Sequence, residues 1–200
     1  MSDNGFITHN LKNNVAHFLI SGTTRYGKSN LLRMIVKKVY GAKINIIDFK
    51  GADYAEFKDK ATIITDNEEA NMLLESLWIE KNKRMEILSK NSQKQYKKDF
   101  IITIIDEFAI LEDKEIITKL LQQGAAAGII FMIATQYPRN DIVDKLITIN
   151  CDVRIALHMK DTTASRVVLE NDLAKTMPAI KGRAIYQYGD DKEVQIPFAD

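Results

Sequence analysis

Short, almost wholly apolar runs alternate along this chain with longer stretches whose apolar residues recur every three or four positions. The short runs predict strands at 16–21, 43–48, 61–64, 100–105, 129–134 and 152–157. Several of them, Phe100-Ile-Ile-Thr-Ile-Ile105 above all, are apolar almost throughout, as parallel strands covered on both faces must be. The periodic stretches predict helices at 28–40, 66–90, 113–126, 139–147 and 162–175. The longest opens on Thr65-x-x-Glu68, which reads as a capping box, and Leu73, Leu74, Leu77 and Trp78 form its apolar stripe. Ile185 to Ile196 reads as a β-hairpin turning at Gly189-Asp190-Asp191. Strand and helix in alternation predict an α/β fold, a mostly parallel sheet with helices on both faces and a C-terminal hairpin.

Composition narrows this picture. Two hundred residues, 46% of them hydrophobic, suit a single domain with a full core spanning 1–200, and the first 14 or so are expected to be flexible. Lys and Arg number 28 against 27 Asp and Glu, so no uniformly basic surface coats nucleic acid, and DNA contact must come from local patches. The lone Cys151 excludes an intramolecular disulfide, fits a reducing cytoplasm, and reads as a small buried residue near a strand start. No apolar run reaches the ~20 residues of a membrane span, and the N-terminus is no signal peptide. His9, His17 and His158 are dispersed, with no metal-ligand spacing.

The chemistry enters between the first strand and the first helix. Gly22-Thr23-Thr24-Arg25-Tyr26-Gly27-Lys28-Ser29 fits G-x-x-x-x-G-K-[ST], a phosphate-binding loop, with Asn30 following in the helix. Backbone N–H groups and the positive end of the helix dipole cradle phosphate there. Lys28 reaches the β/γ oxygens of ATP, and Ser29 ligates Mg2+. Downstream, the strand 100–105 runs into Asp106-Glu107, a Walker B arrangement. Asp106 completes the Mg2+ shell, and Glu107 orients or deprotonates the attacking water. Gln136 ends another strand, and faces the γ-phosphate if that strand lies between the first and the Walker B strand. Asp48 and Lys50 either line the same sheet edge or form a solvated pair at a strand end.

These motifs, in their order, carry a resemblance. His17-Phe-Leu-Ile-Ser-Gly22, Ile-Ile-Asp48-x-Lys50, Ile-Ile-Asp106-Glu107-Phe-Ala, Ala134-Thr-Gln136-x-Pro138, and Arg154-Ile-Ala with Ser165-Arg166 are similar to the motor domain of the FtsK/SpoIIIE DNA translocases, in the FtsK–HerA superfamily. The resemblance spans about residues 15 to 185. It implies a RecA-like P-loop NTPase core of the ASCE class with strand order 5-1-4-3-2. It further implies a homo-oligomeric, hexameric ring threaded by double-stranded DNA, with ATP bound between subunits. Lys28, Ser29, Asp106, Glu107 and Gln136 match family motif positions. The family also supplies an arginine in trans, worth ~10³–10⁵ in rate. Arg84 and Arg166 are the candidates here, with Arg154 weaker because it sits in a strand-like run. Where the family usually has Gly-Ser inside the phosphate loop, this chain has Arg25-Tyr26. Lacking membrane spans and a winged helix, it resembles a stripped-down form of the kind found in conjugative elements, plasmids or viral packaging.

For DNA, the densest basic loop holds Lys90, Lys94, Tyr96, Lys97 and Lys98, with Arg139 elsewhere as a further candidate. Four phosphate contacts would give a salt slope of about −3.6, independent of base sequence. The same loop also reads as a solvated linker. Two other functions remain open: a protein-secretion ATPase of the same superfamily, and a scaffold that binds nucleotide without turning it over. The intact Glu107 argues against the last.

Overall fold

The computed structural model describes residues 7–11 and 13–199. Its frame is one eight-stranded sheet: β1 (Phe18–Ser21), β2 (Ala42–Ile47), β3 (Ala61–Ile64), β4 (Phe100–Ile105), β5 (Ile129–Thr135), β6 (Val153–Leu157), β7 (Arg183–Tyr188) and β8 (Asp190–Gln195). The order across the sheet is β3-β2-β4-β5-β1-β6-β7-β8. β1 to β6 run parallel, and β7 and β8 join antiparallel. Without β3, which adds itself beyond β2, the five inner parallel strands stand in the expected 5-1-4-3-2 order.

Alternating residues of these strands feed two cores. Ile102, Ile104, Ile130, Met132 and Ile20 point to one face, covered by α1 (Lys28–Lys38) through Leu32 and Val36 and by Tyr54 and Phe57. Ile101, Ile105, Ile129, Phe131 and Leu19 point to the other. That face is covered by α2 (Asn67–Lys90), α3 (Lys114–Gln123), α4 (Lys145–Asn150), α5 (Thr162–Leu169) and α6 (Leu173–Thr176). Both faces being covered explains why β4 and β5 carry no polar alternation.

Three helix boundaries differ from the sequence pattern. The cap of α2 is Asp66, which accepts from Glu69 N at 2.8 Å, one position beyond the Thr65–Glu68 pair. The stretch 139–147 is not helical until Asp144 caps α4 by accepting from Ile147 N. Val143 is still buried, from a loop. The predicted helix 162–175 breaks into α5 and α6 because Glu170 turns left-handed at φ 62°. The hairpin turns at Gly189, φ +77°, with Tyr188 paired to Asp190. At the other end, His9 packs edge-on against Phe18 and Tyr188; of the N-terminal stretch expected to be flexible, residues 1–6 and 12 lie outside the described residues.

Candidate nucleotide site

β1 is the fully buried strand that delivers the phosphate loop, flanked by β5 and β6. The loop leaves it at Gly22, where a Cβ would sit 2.6 Å from Leu157 Cβ, so β6 leaves room only for glycine. Gly27 closes the loop at φ +110° and starts α1 with no side-chain cap and no acidic residue in the first turn. The first N–H groups of α1 are thus left to an anion. Arg25 takes φ +74°, a backbone region that costs a non-glycine residue about 1–2 kcal/mol. Thr24 and Arg25 are exposed, and the Tyr26 ring lies 4.9 Å from that of His158. Gly182 N donates to Tyr26 O, and Asn30 pairs with the C-terminal segment through Pro197 O and Ala199 N.

The carboxylates meet the loop at the C-terminal rim of the sheet. Lys28, almost fully buried, donates from Nζ to Asp106 Oδ1 and to the Asp106 carbonyl, both at 2.5 Å. The two residues are 78 positions apart in sequence. Glu107 is buried beside them, where its carboxylate accepts from Thr135 Oγ1 at 2.6 Å and from Gln136 N. Since β5 lies between β4 and β1, Gln136 stands next to the loop, and Thr24 Oγ1 donates to its Oε1 at 2.5 Å. Thr135 was not singled out by the sequence. Its hydroxyl bridges Glu107 and Tyr137 N, and its carbonyl accepts from Ser21 Oγ.

Asp48, at the end of β2, is buried and accepts from Lys50 N and Asp53 N. Lys50 is exposed, with Nζ 3.9 Å from Asp53. For Mg2+, the donor set fits: Ser29 in the first turn of α1 and the buried Asp106 both offer oxygen, as a hard cation requires. Cys151 is fully buried in the core, and that burial pushes its thiol up to about 12.

The remaining candidates scatter. Arg84, one of the two candidates for an arginine acting in trans, has a buried side chain, with Nε ion-paired to Glu80, Nη1 bonded to Ala127 O and the guanidinium laid over the Tyr96 ring at 4.5 Å. Arg154 reaches the carbonyls of Thr148, Cys151 and Val168. Arg166 is exposed on α5 and pairs only with Asp172 among the described residues. Lys94, Lys97 and Lys98 are exposed, while Lys90 pairs with Glu86. That basic loop precedes β4, so it lies at the N-terminal rim, tied there by Tyr96 N to Ala126 O. Arg139 follows β5 at the opposite rim, paired with Asp141. The two basic features therefore do not form one patch. Among the described residues no helix is long and apolar enough to cross a membrane.

A family model described as FtsK/SpoIIIE family matches residues 1–188. The chain is 31% identical over 203 residues to DNA translocase FtsK of Helicobacter pylori (strain J99 / ATCC 700824), covering 87% of this chain and 24% of that protein. To DNA translocase SpoIIIE of Bacillus subtilis (strain 168) it is 26% identical over 222 residues, covering 94% and 28%. It thus spans only about a quarter of the curated relatives' length. Among solved structures, the pCW3 conjugation coupling protein TcpA, a monomer form with ATPγS, superposes with a TM-score of 0.87 at 28% identity, over 98% of this chain and 64% of that one. The DNA-packaging ATPase B204 of Sulfolobus turreted icosahedral virus shares the fold, with a TM-score of 0.66 at 18% identity over 92% and 99%. By its motifs, its sheet order and its match over nearly the whole length, the chain belongs to the FtsK/SpoIIIE family of P-loop ATPases.

Proposed function

We propose that this chain is an ATP-driven motor that assembles into a homo-oligomeric ring, hexameric when active, and translocates double-stranded DNA. The observation that carries the reading is the contact of Lys28 with Asp106, with Glu107 held alongside by Thr135 and Gln136. Incoming triphosphate offers Lys28 a stronger set of anionic oxygens and draws the ammonium from Asp106 toward the β/γ-phosphates. Asp106 and Ser29 would hold the Mg2+, which when bound would supply positive charge against the phosphate oxygens. Glu107 takes up or orients the proton of the attacking water, and its two partners fix the carboxylate without neutralising it. Gln136, bonded to Thr24 of the loop, reports the presence of the γ-phosphate to the end of β5. Arg166 is the arginine we assign to the neighbouring site, because its guanidinium is exposed and held by a single surface ion pair.

Lys94, Lys97 and Lys98 would meet the DNA backbone, with Tyr96 anchoring their loop. The similarity to the DNA translocases FtsK and SpoIIIE favours DNA as the cargo over protein. The test is ATPase rate against protein concentration, with and without duplex DNA. A rate per chain that rises with concentration and rises again with DNA is expected. A rate insensitive to DNA at low salt would overturn the translocase reading. Arg166→Ala should abolish the concentration-dependent part while nucleotide binding by the isolated chain persists.

A further inference from the structure

The sheet order tells the two ends of a bound triphosphate apart. Hydrolysis needs the γ-phosphate at Glu107 and Gln136, which follow β4 and β5 on one side of β1. β6, β7 and β8 stand on the other side. With its γ end at Glu107 and its middle on Lys28, the nucleotide directs its nucleoside toward β6–β8. On that flank the phosphate loop is tied to the chain around the hairpin. Gly182 N donates to Tyr26 O at 2.9 Å, and Ile196 N donates to Gly182 O at 2.8 Å.

The segment 196–199, which follows β8, is fixed there at both ends. Ile196 is buried in the core that also holds Leu31 and Leu32 of α1. Asn30, in the first turn of α1, then grips the segment with both atoms of its amide. Its Nδ2 donates to Pro197 O at 2.9 Å, and its Oδ1 accepts from Ala199 N at 2.8 Å. These two bonds bracket Phe198, whose backbone is thereby held beside the loop. Yet Phe198 is 83% exposed. A phenyl ring held in water forgoes the burial that ordinarily stabilises an aromatic residue. The other aromatic residue tied to this flank, Tyr26, is already committed: it packs against the same core, with its ring 4.9 Å from that of His158. Phe198 is the ring left uncovered.

We propose that Phe198 is the platform on which the nucleobase of the bound nucleotide stacks, and that Asn30 is the positioning residue that holds this platform beside the phosphate loop. The proposal rests on the nucleotide reading above and deepens it by assigning the base end of the same site. A heteroaromatic base offers a flat π face, and stacking covers ring and base at once. The clamp is closed before ligand arrives, so little ordering of the segment is left to oppose binding. A stacked contact takes the base by its face and does not read its hydrogen-bonding edge.

Calorimetric titration with ATPγS and, separately, with inorganic tripolyphosphate, both in Mg2+, isolates the base. The chain is kept below the concentration at which its ATPase rate rises. Phe198→Ala is expected to weaken ATPγS about tenfold and to leave tripolyphosphate, which has no base, unchanged. Asn30→Ala should show the same selective loss. Phe198→Trp should bind ATPγS as the wild type does, with indole fluorescence quenched by ATPγS and not by tripolyphosphate. The native Trp78 packs against the core on the opposite face of the sheet and gives a constant background. Equal ATPγS affinity in wild type and Phe198→Ala, or an equal loss for both ligands, would overturn the proposal. A Phe198→Ala chain that lost only the concentration-dependent ATPase rate would assign the ring to a contact between copies of the chain, and would overturn it too. In each of these cases the wild type still binds both ligands. Failure of the wild type to bind either one would instead bring down the nucleotide reading, and the base platform with it.

Discussion

Two buried basic residues sit at opposite rims of the same sheet and are held in opposite ways. Arg84, at the N-terminal rim, is fixed by a helix neighbour, a backbone carbonyl and an aromatic face. None of these partners has another ligand to receive. Lys28, at the C-terminal rim, is held only by Asp106, a group that itself suits a metal ion. A cation with several permanent partners is scaffold. A cation balanced on one exchangeable carboxylate is poised to change partners, and that is what a phosphate site needs. Burial alone does not separate the two, because both are almost inaccessible to solvent.

The largest effect should come from the C-terminal rim. Glu107→Gln keeps the acceptor for Thr135 Oγ1 but removes the base, so turnover should fall by ~10²–10⁴. Melting temperature and nucleotide affinity should stay near wild type. Steady-state ATPase in the presence of duplex DNA, read beside a melting curve, checks both halves. A comparable loss of stability would mean that Glu107 is scaffold, and would break the contrast.

At the N-terminal rim the expected effects are on stability. His17 precedes β1, is buried, and accepts the Phe131 N–H on Nδ1. Burial lowers its pKa from 6.5 to about 4. The unfolded chain therefore takes up a proton near pH 6.5 that the folded chain refuses until near pH 4. His17 contributes stability that is full above pH 6.5 and is lost as pH falls toward 4, on the order of 3 kcal/mol. Denaturant unfolding across that window should show the loss, and His17→Gln should flatten the slope while leaving turnover in place. Arg84→Ala comes next. It strips a ring contact and orphans Ala127 O, for a loss of roughly 2 kcal/mol. In a chain of this size that is a fall of about 4–8 °C in melting temperature. ATPase per folded chain should not change; a loss of rate without a loss of stability would restore Arg84 to the active site.

The same division governs what the sequence makes legible. β4 falls where its apolar run predicts, because a strand covered on both faces can be built of little else. The loop and the two acids are legible because phosphate and metal chemistry demand particular residues at fixed spacing. Thr135 is silent because a threonine ending a strand is ordinary β composition. The approach of Asp53 to Asp106 is silent because only the turn at Asp48 folds it back. The inward turn of Arg84 is silent because a long, mostly polar helix gives no sign of which basic side chain is buried. The split of 162–175 is equally hidden: Glu170 adopts the left-handed turn with no glycine to announce it.

The smallest effect lies inside the phosphate loop, at Arg25. Arg25 holds φ +74° without being glycine, a strain of about 1–2 kcal/mol. Arg25→Gly relieves it but gives the unfolded chain more freedom, which takes back about 0.5–1 kcal/mol. The net expectation is a gain of roughly 0.5–1 kcal/mol, or about 2 °C. Strain kept at a functional loop is informative when its relief costs activity. If the Arg25 side chain reaches phosphate or a neighbouring subunit, the more stable variant should turn over more slowly, with the deficit largest at high protein concentration. If the side chain is only solvated, stability rises and the rate holds. A lower melting temperature would mean that Arg25 is fixed by contacts worth more than its backbone strain, and the C-terminal rim would then carry scaffold of its own.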